Sequence, residues 1–192
     1  MIKKLSKKYH VKIPKDVKVI YIEKKNVIVF KGPLKTKALK IDFKLYVIND
    51  YNLIYVTKIL NNRSFIDKKK KLTSIRGTTI SQIKQLILEV SVTLTKKLKL
   101  IGVGYKVFPL NILKRNLLQF KLGFSHFIYY KIPKDLKIVS HKSASLYIFG
   151  HSYYIINQVA ANLRKYKTPE PYKGKGILYE NENIILKQGK KI

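Results

Sequence analysis

Cationic, aromatic and backbone-bending residues alternate from Arg164 to Gly176, in the order Arg-Lys-Tyr-Lys-Thr-Pro-Glu-Pro-Tyr-Lys-Gly-Lys-Gly. Such a mixture suits a partner made of phosphates and flat bases. Arg164, Lys165, Lys167, Lys173 and Lys175 supply positive charge, which displaces condensed counterions when it meets a polyanion. Tyr172 offers a ring face and a hydroxyl to an unpaired base. Tyr166 and Tyr179 offer the same, with plain packing an open alternative for Tyr179. Pro169 and Pro171 fix backbone angles and predict an extended rather than helical path. Gly174 and Gly176 predict a bare backbone whose N–H groups approach a partner closely. Lys187 and Lys190 carry the charge into the tail, where they are expected to become ordered on the partner.

Other chemistries lack the spacing they need. The chain has no cysteine, so thiolate catalysis, disulfides and sulfur-ligated metals are excluded. Histidines 10, 126, 141 and 151 show no paired metal-ligand spacing. Gly102-Val103-Gly104 is followed by Val107 where a dinucleotide fingerprint needs a small residue, and Gly174-Lys175-Gly176 lacks the phosphate-loop spacing. Ser125 and His126 are sequence neighbours, whereas a nucleophile and its base are usually brought together by the fold. The ten carboxylates present no paired acid and base. The expectation is a binding protein without catalysis, cofactor, metal or small-molecule substrate.

Two sheet-plus-helix stretches must position these residues. In the first half, Tyr9 to Ile13, Val17 to Ile22, Asn26 to Phe30, Lys37 to Ile41 and Leu53 to Lys58 read as strands. A polar loop is expected from Asn61 to Lys71, with four consecutive lysines at 68–71. A helix follows, capped by Thr78 or Thr79, with Ile80, Ile83, Ile87 and Val90 on one face. In the second half, Lys96 to Ile101, Tyr105 to Phe108, Leu117 to Gly123, Ile132 to Val139 and Ser145 to Phe149 read as strands. Ser152 is expected to cap a second helix with Ile156, Val159, Ala160 and Leu163 buried, and Pro169 stops its continuation. Arg164 and Lys165 suit the negative end of its dipole.

Ile13-Pro14-Lys15-Asp16-Val17-Lys18-Val19 matches Ile132-Pro133-Lys134-Asp135-Leu136-Lys137-Ile138, and each run leads through a strand to a glycine, Gly32 or Gly150. The pattern predicts an α+β chain of two tandem duplicated domains, residues 1–94 and 95–192. Each is a mostly antiparallel sheet packed on one amphipathic helix, and the second carries a basic C-terminal extension.

Charge points the same way. The 192 residues hold 41 basic and 10 acidic groups, a formal net charge of +31, with a 46% hydrophobic fraction that is ample for a core. Residues 1–95 carry 22 basic and 6 acidic groups and residues 96–192 carry 19 and 4, so no detachable tail is responsible. A polyanion would relieve the self-repulsion, with nucleic acid the natural partner and an anionic membrane the alternative. The longest apolar candidate, Leu146 to Leu163, is interrupted by polar residues and does not read as a membrane span. Arginine stands at only four positions, 63, 76, 115 and 164. Together with abundant Lys, Ile, Asn and Tyr, this suggests an AT-rich gene. The N-terminus reads without a cleaved presequence, which fits a protein made inside an organelle.

Pro-Glu-Pro-Tyr-Lys-Gly-Lys-Gly-Ile at 169–177 resembles the C-terminal signature of the large-subunit ribosomal protein number six family, of the bacterial and organellar type. Residues 95–105, Leu122-Gly123-Phe124-Ser125-His126, and Asn157 to Arg164 resemble further segments of that family, and Gly77-Thr78 resembles the start of its first-domain helix. The match is dense from 95 to 180 and thin before 75. It departs at Leu178, where the family pattern has Arg, and in the basic loop at 68–71. The resemblance implies a structural constituent of the ribosome that binds large-subunit ribosomal RNA near the sarcin–ricin loop, beside the stalk base and its neighbouring proteins. It supports subunit assembly and the site where translation factors dock. Lys96, Lys97, Ser125 and His126 would join Arg164, Lys165, Lys167, Tyr172, Lys173, Gly174, Lys175, Gly176, Lys187 and Lys190 in the RNA contact. The base composition favours a mitochondrial ribosome, in the mitochondrial matrix, over a plastid or the bacterial cytoplasm. A non-ribosomal RNA-binding or assembly factor is the alternative function. A membrane-surface role would need a lysine-lined helix face, which the near-neutral middle of the helix after Ser152 does not offer.

Overall fold

The computed structural model describes residues 9–60, 69–112 and 115–189. The chain divides into two compact units, Met1–Val92 and Thr93–Ile192.

In the first unit, β1 (His10–Lys12), β6 (Leu53–Leu60) and β5 (Phe43–Ile48) form one antiparallel sheet in the order β1-β6-β5. Strands β2 (Lys18–Ile22), β3 (Val27–Lys31) and β4 (Thr36–Lys40) form the other, also antiparallel. Alternation along the strands turns Ile28 and Phe30 of β3, and Phe43 and Leu45 of β5, inward. They meet Ile80, Ile83, Ile87 and Val90 of helix α1 (Lys69–Ser91) in one core.

The helix begins well before the expected cap. Residues Lys69 to Lys71 are already helical, and residues 61–68 of the expected loop lie outside the described residues. Thr78 and Thr79 are interior, their hydroxyls donating back to the carbonyls of Ile75 (2.7 Å) and Arg76 (2.8 Å). Gly77 and two threonines looked like a start signal, but back-bonding within the preceding turn satisfies the hydroxyls just as well.

The second unit holds β7 (Leu94–Ile101), β8 (Lys106–Ile112), β9 (Arg115–Lys121), β10 (Ile128–Lys131), β11 (Leu136–His141), β12 (Ser145–Gly150), α2 (Tyr153–Lys165) and β13 (Gly176–Tyr179). Its sheets run β10-β9-β8 and β11-β12-β7-β13, all pairs antiparallel. The helix buries Ile156, Val159, Ala160 and Leu163, the expected face, against Leu98, Leu146, Ile148 and Phe120. Ser152 stands at the N-cap with extended angles, yet its side chain makes no capping bond; its carbonyl accepts the first helical hydrogen bond from Ile156 N–H at 3.1 Å.

The two units share one plan entered at different points. Sheet β1-β6-β5 has its counterpart in β10-β9-β8, and β2-β3-β4 in β11-β12-β7, so the second unit runs through the same six positions starting from the fourth. The matching Ile-Pro-Lys-Asp runs make the same turn, with Val17 N–H donating to Pro14 O (3.2 Å) and Leu136 N–H to Pro133 O (3.1 Å). The expected strand from Ile132 therefore starts only at Leu136. Gly32 and Gly150 then lie where sheet meets helix. A Cβ on Gly32 would come within 2.7 Å of the Val90 carbonyl, and one on Gly150 within 3.2 Å of Ile156. Beside the Val90 backbone only hydrogen fits at Gly32, whereas at Gly150 the side chains of Leu136 and Ile156 would have to shift to admit a methyl group.

Candidate nucleic-acid interface

The segment after α2 folds back on itself instead of running extended. Helix α2 ends at Lys165, and Tyr166 packs its ring on Phe120 (centroids 6.0 Å apart) and Tyr130 (6.2 Å). Burial raises the pKa of both tyrosines. A turn follows: Gly174 N–H donates to Glu170 O, Glu170 N–H to Lys175 O, and Ile177 N–H to Lys167 O, each at 2.9 Å. Gly174 has φ of 68°, the left-handed region that favours glycine. Gly176 lies so close beneath Pro169 that a Cβ would sit 2.6 Å from its Cα. Both glycines are buried, so their backbone closes the turn rather than facing outward. The tip, Pro171 to Lys173, is exposed, with Tyr172 at 54%. Strand β13 then joins the sheet edge, Gly176 opposite Ile101 and Tyr179 opposite Leu98.

Two carboxylates fasten what comes next. Glu182 accepts from Arg164 Nε at 3.0 Å, from the second guanidinium nitrogen, and from Tyr179 N–H at 3.1 Å. The Arg164 hydrogen bond holds the Glu182 carboxyl below its ordinary pKa and raises that of Arg164. Glu180 accepts from Lys97 Nζ at 2.8 Å, which lowers the Glu180 pKa and raises that of Lys97. Lys99 Nζ donates to the Glu180 carbonyl at 3.2 Å. Further on, Lys187 N–H donates to Pro171 O at 2.9 Å, and Leu186 covers Gly174. The tail thus lies back over the turn.

Two loops adjoin. The ring of Tyr105 rests against Gly102 and Gly123, where a Cβ would come within 2.8 and 3.2 Å of it, and so ties the 102–104 loop to the 123–127 loop. Val103 is 90% exposed, and Phe124, Ser125, His126 and Phe127 are exposed as well. Phe124 and His126 stack at 5.8 Å, and Lys167 Nζ lies 4.6 Å from the Phe124 ring centroid, joining this loop to the C-terminal segment.

The expected residues therefore fall into classes. Lys165, Tyr172, Lys173, Lys187, Ser125 and His126 are exposed, and Lys167 and Lys175 half-buried. Arg164 and Lys96 converge on the Tyr179 ring, at 5.6 and 5.0 Å, and Arg164 is also committed to Glu182, as Lys97 is to Glu180. Of the three tyrosines expected to meet bases, Tyr166 and Tyr179 pack against the core and Tyr172 alone is exposed. Lys190 lies outside the described residues. The sequence reading missed Val103, Phe124 and Phe127, for which flanking glycines at 102, 104 and 123 were the available signal. It also missed Glu180 and Glu182, acids in a basic stretch. Among the described residues no group of three or more metal-ligating side chains gathers, and no helix is long and apolar enough to cross a membrane.

Residues 101–180 match the family model described as ribosomal protein L6. The chain is 37% identical over 180 residues to the large ribosomal subunit protein uL6 of Mycoplasmoides gallisepticum, covering 93% of this chain and 91% of that protein. It is 36% identical over 188 residues to the uL6 of Rhodospirillum rubrum, covering 96% and 97%. The uL6 of Buchnera aphidicola is 44% identical over 115 residues, covering 60% of this chain and 63% of that protein.

Proposed function

The chain belongs to the ribosomal protein L6 family, and from that premise we propose that it is held on large-subunit ribosomal RNA by the second unit, through the 102–104 loop, the 123–127 loop and the segment from Arg164 to Lys187. It is a structural component of the large ribosomal subunit, not an enzyme. The observation that carries the reading is the meeting of exposed cations and exposed aromatics on adjoining segments, with Lys167 against Phe124 at their junction. Lysines displace counterions from phosphates, and Tyr172, Phe124 and His126 offer ring faces to unstacked bases. Gly174 and Gly176 act by shaping the tip, while Lys96, Lys97 and Arg164 act as a charged floor beneath it. Lys190 extends the charge along the tail.

The proposed RNA target is the neighbourhood of the sarcin–ricin loop and stalk base, with neighbouring large-subunit proteins there as further partners. In that place the protein supports assembly and the factor-docking site. The proposed compartment is a mitochondrial ribosome. The support is the preference for lysine over arginine, with only four arginines among 41 basic residues. The relatives named above are bacterial, so bacterial cytoplasm is the rival, and imaging of the tagged protein against a mitochondrial marker separates the two.

The test of the RNA surface is Lys173→Glu with Lys175→Glu. Incorporation into large subunits is expected to fall, and the log–log salt dependence of RNA binding to become shallower by about two units. Normal incorporation of the double variant would overturn the reading.

A further inference from the structure

The second half of the chain has only four carboxylates, Asp135, Glu170, Glu180 and Glu182, and three of them lie in the basic C-terminal arm. On a surface read as RNA-binding, a carboxylate repels phosphate within roughly a Debye length, about 8–10 Å. Electrostatics alone says that each should weaken binding. Their surroundings differ. Glu170 is exposed, and among the described residues its side chain has no hydrogen bond or ion pair, although its backbone closes the turn. Glu182 takes two guanidinium nitrogens from the end of α2 and the Tyr179 N–H from the end of β13, at the point where the tail departs.

Resting on the RNA-binding reading above, we propose that Glu182 is a positioning residue for that surface: its carboxylate pins Arg164, the end of β13 and the start of the tail together, so that the tail lies over the tip turn and presents Tyr172 and Lys173 in one arrangement. Four links form the chain of support. Arg164 holds Glu182; the Glu182 N–H donates to Tyr179 O at 3.1 Å; Leu186 covers Gly174; and Lys187 N–H holds Pro171 O at 2.9 Å. The last link ends one residue before Tyr172. Two observations make the carboxylate the keystone of this run. It is the acceptor for donors from two separate elements, and a charged acceptor with a bidentate guanidinium is stronger than a neutral one. It is also half-buried, with 22% of its side chain exposed against 48% for Glu180, so water replaces its partners less readily. Ordering the tip before contact removes part of the entropy cost of binding.

The consequence runs opposite to charge counting: removing a negative charge from a protein of net charge +31 should weaken its hold on a polyanion. The experiment compares Glu182→Gln with Glu170→Gln in the full chain, binding a large-subunit ribosomal RNA transcript at several salt concentrations. Amide hydrogen exchange of residues 183–189 is followed in parallel. Glu182→Gln is expected to weaken binding by roughly tenfold, the scale of one charged hydrogen bond, and to speed exchange in the tail while the core of α2 stays protected. Glu170→Gln is expected to bind as well as or better than the wild type. Equal or tighter binding by Glu182→Gln, with tail exchange unchanged, would overturn the proposal, as would a loss matched by a core variant of the same global stability. Lys173→Glu with Lys175→Glu, run alongside, reads the RNA surface itself. If it binds normally the surface assignment fails, whereas its loss together with an unaffected Glu182→Gln rejects the positioning role alone.

Discussion

A methyl group on Gly176 would sit 2.6 Å from the Cα of Pro169, a backbone atom with nowhere to go. Gly176→Ala is therefore expected to destabilise the second unit by roughly 1–3 kcal/mol, as strained backbone sites do, seen as a lower denaturation midpoint. Wild-type stability in that variant would mean that the turn can reopen. Glu182 supplies a prediction in pH. Its folded pKa is held below the ordinary carboxylate value of 4.5, chiefly by Arg164, so its stabilisation is fully present above that value and is lost as pH falls through the depressed one. Protection of the tail amides, taken relative to the intrinsic exchange rate at each pH, should thus stay flat through neutral pH and fall only in acid; a change in protection between pH 6 and 8 would point to another group. In the first unit, Arg76 is buried with its Nε on Val56 O at 2.9 Å and its guanidinium 3.5 Å from the Tyr9 ring centroid. Arg76→Ala removes a charged hydrogen bond and a stacking partner, and a loss of roughly 2–3 kcal/mol is expected in a urea melt of the chain.

Helix α1 carries the clearest contrast between expectation and element. If Thr78 were a cap, Thr78→Ala would cost about 1 kcal/mol; as an exposed interior residue it is expected to be neutral or slightly stabilising, because alanine is the better helix former. Thermal denaturation of that variant distinguishes the two. The α+β class and the buried faces of both helices were legible because apolar residues recur at helical spacing, Ile80-Ile83-Ile87-Val90 and Ile156-Val159-Ala160-Leu163. The Ile-Pro-Lys-Asp repeat was legible too, since the same turn recurs at Pro14 and Pro133. The cyclic shift in strand order was not, because pairing between distant strands leaves no local mark. Strands β10 and β13 escaped for local reasons: β10 is four residues long, and β13 follows a Pro/Gly stretch that reads as loop. Strand β5 carries an ordinary strand alternation, Phe43 and Leu45 inward with Lys44 and Tyr46 outward, so it was legible and was passed over. In the candidate interface, the exposed tip at Tyr172 and Lys173 was legible from composition. The inward turn of the glycines and the pairing of Arg164 with Glu182 depend on residues 18 apart in the chain meeting in space.

For the molecule as a whole, charge and core answer to different partners. Each unit has its own buried cluster, while 41 basic against 10 acidic residues leave a self-repulsion that a polyanion would relieve. Added salt should accordingly affect the two in opposite directions: stability of the free chain rises as self-repulsion is screened, while RNA affinity falls steeply. Parallel stability on and off the RNA at all salt concentrations would contradict this.

If the second unit grips ribosomal RNA through three joined segments, ultraviolet crosslinking of the native large subunit, followed by mass spectrometry of nucleotide-bearing peptides, will yield adducts at Phe124, His126, Tyr172 and their immediate neighbours. Adducts confined to residues 9–60, with the 123–127 loop and the 171–173 tip clear, would contradict such a grip.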